Sequence, residues 1–84
     1  NVKIEQSMSF AEVLYKAGGN RGLNMRRVAQ APFFVLRGAA MPAVLVEMGF
    51  LTDKAEASLL ANPTYQKKLA ESLADGIESY LRNM

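Results

Sequence analysis

Eighty-four residues and 9.2 kDa are enough for one small domain and too few for a second independent core. The sequence has no cysteine and no histidine, which excludes disulfides, thiolate or imidazole metal ligands and every Ser-His or Cys-His nucleophile. Half of the residues are hydrophobic and the net charge is only +2, so the chain has the balance of a folded protein, and its charge does not point to nucleic acid.

No uncharged stretch, Gly38 to Val46 among them, approaches the roughly 20 apolar residues that cross a bilayer, so no membrane span is expected. From the N-terminus, Ser9 and Glu12 have capping-box spacing. Phe10, Val13, Leu14 and Ala17 then recur at helical intervals before Gly18-Gly19, which predicts a short helix over about Ser7 to Ala17. From Gly19 to Ala31, turn-forming residues surround Arg21, Arg26 and Arg27, and the segment reads as a loop with a solvated basic face.

Phe33-Phe34-Val35-Leu36 and Ala43-Val44-Leu45-Val46 are short apolar, β-rich runs bounded by Pro or Gly, and both read as buried strands. The connection between them, Gly38 to Pro42, is too short for a parallel crossover, so they are expected to pair antiparallel in a sheet covered on both faces. Asp53 and Glu56 predict a capped helix to about Ala61, after which Asn62-Pro63 opens another. In that last helix Tyr65, Leu69, Leu73, Ile77 and Leu81 form an apolar stripe, opposite Lys67, Lys68, Glu71, Asp75 and Glu78. Gly76 interrupts the helix and is assigned to close packing against the sheet, Tyr65 and Tyr80 to packing, and the scattered methionines to core filling.

The expected fold class is therefore α/β, in the order helix-strand-strand-helix-helix, with the sheet sandwiched between helices as the C-terminal part of a three-layer domain. Two strands make a poor sheet, so residues 1–84 are read as the end of a larger domain whose other half, or a second copy of the chain, covers the open edge.

Glu47 breaks the second apolar run and is followed by Met48, Gly49 and Phe50. Two readings are open. A carboxylate desolvated at a strand end is poised for proton transfer, and Gly49 leaves space beside it. Alternatively Glu47 forms a structural ion pair with Arg37, at the end of the preceding strand.

The run Phe34-Val35-Leu36-Arg37, the block Met41 to Asp53, the Leu59-Leu60 pair, Tyr65 and the helix Leu69 to Tyr80 resemble the C-terminal part of zinc-dependent N-acetylmuramoyl-L-alanine amidases. The resemblance runs from about Ser7 to Tyr80 and is concentrated in the block Pro42 to Phe50. It implies a bacterial cell-envelope hydrolase, periplasmic or extracellular, that cuts the amide bond between N-acetylmuramic acid and the L-alanine of the peptidoglycan stem peptide. It also assigns Glu47 as the catalytic glutamate, acting as general base and acid, with Arg37 as a supporting or substrate-binding residue. The zinc implied by the family would be held by two histidines and a glutamate earlier in the parent chain; this chain supplies no metal ligands, so alone it is expected to be inactive. Asp53 stands where the family usually has Asn. The rival reading is a non-enzymatic interaction module that docks through its apolar surfaces, with Glu47 and Arg37 as its structural pair.

Overall fold

The computed structural model describes residues 2–28 and 36–84. Three helices make up its regular structure among these residues: α1 (Val2–Asn20), α2 (Lys54–Leu60) and α3 (Pro63–Arg82). The described fold is all-α, and the expected three-layer α/β sandwich is corrected on this point.

Helix α1 is longer than its sequence pattern suggests at both ends. Ser9 and Glu12 lie inside it rather than at its cap. Gly18-Gly19 does not stop it either. The stop is a Schellman motif one turn later: Leu23 N–H donates to the Gly18 carbonyl at 3.0 Å and Gly22 N–H to the Gly19 carbonyl at 3.0 Å. The residue that must turn left-handed is Gly22, at φ +79°, which any residue with a Cβ would resist.

Helices α2 and α3 start where their caps predict. The Asp53 side chain accepts Glu56 N–H at 3.0 Å. Asn62 Oδ1 accepts both Thr64 N–H at 2.8 Å and Tyr65 N–H at 3.1 Å, with Pro63 in the first turn, where its missing N–H costs nothing.

Helices α1 and α3 pack as an antiparallel pair. Phe10 stacks on Tyr80 with ring centroids 4.6 Å apart, Leu14 lies on Gly76, and Arg21 at the far end of α1 reaches Glu71 and Asp75. The small core between them contains Leu14, Ala17, Ser72 and Gly76. Gly76 therefore serves a helix-to-helix approach, not the helix-to-sheet contact expected from sequence. The apolar stripe of α3 is not the contact line. Residues four apart advance about 40° per step around a helix with 3.6 residues per turn, so the stripe winds away from α1 and leaves Ile77 and Leu81 46% and 60% exposed.

Neither expected strand is present among the described residues. Phe33, Phe34 and Val35 lie outside them. Leu36 sits at a turn in which Ala39 N–H donates to its carbonyl at 3.3 Å, and Gly38 at φ +82° reverses the chain. Ala43 to Val46 has no regular structure; its Ala43 N–H is taken by the Ser7 hydroxyl at 2.9 Å instead of a ladder partner. A run with β propensity becomes a strand only when a neighbouring strand pairs with it, and the partner that Ala43 finds is a helix side chain. Burial fails with pairing, because Leu45, Val46 and Met48 are exposed. Met41 and Met84 are exposed as well, so the assignment to core filling is corrected for Met41, Met48 and Met84, whereas Met8 and Met25 are half-buried.

Candidate functional site

Glu47 lies on the irregular segment between the Leu36 turn and α2, and it is exposed. The expectation of a carboxylate buried at a strand end is therefore corrected. Arg37, in the turn before Gly38, is also exposed, and Glu47 takes part in none of the ion pairs among the described residues. The proposed structural pair with Arg37 is not formed.

The segment is held near both of its ends. On the N-terminal side the Ser7 hydroxyl of α1 accepts Ala43 N–H. On the C-terminal side Glu56, in the first turn of α2, accepts Phe50 N–H through Oε2 at 2.8 Å, while its Oε1 pairs with the Arg26 guanidinium. Arg26 completes the arrangement by lying 5.4 Å from the centroid of the Phe50 ring, within cation–π range. The turn into α2 is closed by Asp53 N–H, which donates to the Phe50 carbonyl at 3.1 Å. Gly49 fits this path for two reasons. Its φ of +151° suits glycine, and a Cβ there would lie 3.3 Å from Leu60 Cδ1 and 3.6 Å from Glu56 Cβ.

The sequence pattern pointed to Glu56 as half of a capping box, reaching back to Asp53 N–H. Its backbone does receive the Asp53 cap, but its carboxylate passes Asp53 and takes Phe50 N–H and Arg26 instead. The spacing located the residue without revealing its partners. Ser7 and Arg26 carried no sequence signal for the contacts they make, because both contacts span more than 25 residues of chain.

A second ionic cluster joins α1 to α3. Arg21 Nε donates to Asp75 Oδ2 at 2.6 Å, a second guanidinium nitrogen donates to Oδ1 at 3.3 Å, and a third nitrogen lies 3.4 Å from Glu71 Oε2. The hydrogen bond from Arg21 holds the Asp75 carboxyl below the usual carboxylate range, and the same bond raises Arg21. Arg21, read from sequence as part of a solvated basic face, is instead a cross-helix tie. Two open grooves, of about 320 and 470 Å³, flank the α1–α3 pair; the first is lined by Arg21, Thr64, Lys67, Lys68 and Glu71, and neither includes Glu47 or Arg37.

The donor set does not fit a zinc centre. The chain has no His or Cys, and no group of three or more Asp or Glu residues could hold a metal ion among the described residues. Among the same residues, no helix is long and apolar enough to cross a membrane.

The sequence profile of one protein family, described as N-acetylmuramoyl-L-alanine amidase, matches residues 1–79, almost the whole chain. The chain belongs to this amidase family. Among its relatives, N-acetylmuramoyl-L-alanine amidase AmiC of Neisseria meningitidis is 39% identical over 69 residues, covering 82% of this chain and 17% of the relative. N-acetylmuramoyl-L-alanine amidase LytC of Bacillus subtilis is 40% identical over 67 residues, covering 80% and 14%. The AmiC of Escherichia coli is 36% identical over 81 residues, covering 95% and 19%. The chain thus spans less than a fifth of the length of each of these amidases. No solved structure gives a significant match. Membership in the amidase family supports the resemblance read from the block Pro42 to Phe50, which falls within the matched residues.

Proposed function

We propose that residues 1–84 form the C-terminal portion of the catalytic domain of a cell-envelope peptidoglycan hydrolase, and that Glu47 transfers the proton in its reaction. The substrate would be the amide bond between N-acetylmuramic acid and the L-alanine of the stem peptide. Support for the substrate comes from the family match and from the printed names of the relatives. Support for Glu47 comes from its place in the block Pro42 to Phe50 and from its exposure on a segment tied to α1 and α2, where a substrate can approach it.

In this reading the Glu47 carboxylate accepts a proton as water adds to the scissile carbonyl carbon. The carboxylic acid so formed then delivers that proton to the departing nitrogen as the C–N bond breaks. Water and an amide become a carboxylic acid and an amine, and Glu47 returns to its ionised state. A zinc ion, which the family resemblance implies, supplies Lewis-acid polarisation where it is bound. The residues of this chain do not fit it, so no step here passes through it.

The observation that carries the proposal is the amidase family match over residues 1–79 together with the exposed carboxylate in its Pro42 to Phe50 block. Glu47→Gln in a longer enzyme containing this segment tests it. Release of stem peptides from peptidoglycan should collapse while the fold is retained. The rival interaction-module reading draws on the exposed apolar residues of α3 and predicts that the substitution leaves any hydrolysis unchanged.

A further inference from the structure

We infer that Glu56 and Arg26 are positioning residues that set the segment carrying Glu47 against α2. This inference rests on the reading of Glu47 as the proton-transferring carboxylate.

The geometry converges on one carboxylate. Glu56 belongs to the first turn of α2, and its own N–H is fixed by the Asp53 cap at 3.0 Å. From that fixed base one side-chain oxygen takes Phe50 N–H at 2.8 Å and the other takes Arg26. Only 20% of the Glu56 side chain is exposed, whereas that of Arg26 is 60% exposed. The part of the arrangement nearer the backbone is thus shielded and the outer part is wet. Arg26 holds both components at once, because its guanidinium pairs with Glu56 and lies on the Phe50 ring.

Only three peptide units separate the Glu47 Cα from the Phe50 Cα, a reach of at most about 11 Å. Between them the space beside Gly49 is occupied by Leu60 and Glu56, where a Cβ would lie 3.3 and 3.6 Å from their side chains, and on this reading a shift of Phe50 is passed along the short backbone to Glu47. A general base tolerates little displacement: a misplacement of about 1 Å can cost about 100-fold in rate. Glu56 and Arg26 touch neither substrate nor reacting atoms in this account. They act through the backbone of residues 47–50.

The experiment uses the longer enzyme containing this segment and compares Glu56→Ala, Glu56→Gln and Arg26→Met with Glu47→Gln on peptidoglycan, measuring kcat, KM, the pH profile and hydrogen exchange in peptides covering residues 47–52. Glu56→Ala is expected to lower kcat about 10- to 100-fold with KM changed less than about 3-fold, an unshifted pH profile, and faster exchange at Phe50. Glu56→Gln keeps an oxygen for Phe50 N–H and should recover most of the loss. Arg26→Met, which leaves the α2 cap intact, should lower kcat by about 3- to 10-fold with an unchanged melting temperature, and it decides the matter if Glu56→Ala does not fold. Normal kcat in folded Glu56→Ala or in Arg26→Met, or a Glu56→Gln enzyme as impaired as Glu56→Ala, overturns the positioning role. If Glu47→Gln is inactive while these variants are normal, only the positioning role falls; if Glu47→Gln itself is fully active, the catalytic reading and the positioning role fall together.

Discussion

Gly76 of α3 meets Leu14 of α1 so closely that a Cβ at position 76 would overlap Leu14 Cδ2 and lie 3.2 Å from the Leu14 Cα. Gly in a helix interior costs about 1 kcal/mol relative to Ala, so Gly76→Ala gains that much in propensity. Against the gain stands overpacking of typically about 1 to 3 kcal/mol, and the Leu14 main chain cannot move aside as a side-chain tip can. The expected balance is a net loss of up to about 2 kcal/mol, or a melting temperature lower by up to about 16 °C for a domain of this size. Thermal unfolding of Gly76→Ala checks the balance, and in a double-mutant cycle with Leu14→Ala the double mutant should lose less than the sum of the two separate losses, because the shortened side chain opens room for the new methyl group.

The Arg21 tie to Asp75 predicts an acid limb in the stability profile. Asp75 titrates lower when folded than when unfolded, so the unfolded chain binds more protons in that range and stability rises with pH. The contribution is complete above the unfolded carboxyl value near 3.8 and is lost as pH falls through the lower folded value. Both side chains are more than a third exposed, so the effect is small and screened by salt. Melting temperatures of wild type and Asp75→Asn, followed from pH 6 to pH 2.5 at low salt, should differ above about pH 4 and converge below it. The difference should shrink in 1 M salt.

Exposed apolar side chains predict association. Leu45, Phe50, Ile77 and Leu81 are each exposed by more than two-fifths. The accessible surface of 6477 Å² exceeds the roughly 4,900 Å² of a compact monomer of this mass. Sedimentation velocity of the 84-residue chain should show a rise in average mass with concentration. A single monomer species over a hundred-fold concentration range would contradict the prediction.

The helical parts of the fold were legible where the signal is local. Asp53 and Asn62 name the starts of α2 and α3 because capping is decided within three residues of chain, and the Phe10–Leu14 side of α1 follows from helical spacing. The end of α1 is not legible in the sequence because three glycines compete for it within five residues, and only the hydrogen bonds of the Schellman motif choose Gly22. Ala43 to Val46 has a composition that suits a strand, but strand formation depends on a distant partner, and the partner of Ala43 is the Ser7 hydroxyl. At the candidate site, the apolar context drew attention to Glu47 while misjudging its burial. The support from Arg26 and Glu56 depends on long-range contacts that spacing does not encode.

The most direct test of the account is turnover of Glu47→Gln on peptidoglycan in the longer enzyme, measured per folded molecule with the melting temperature taken on the same preparation. Gln preserves the size of the side chain but does not serve as the proton acceptor, so the melting temperature should stay close to wild type. Turnover should fall by at least about 100-fold, the low end of what general acid–base catalysis contributes. A Glu47→Gln enzyme that folds normally and releases stem peptides at a rate near wild type would contradict the assignment of proton transfer to Glu47.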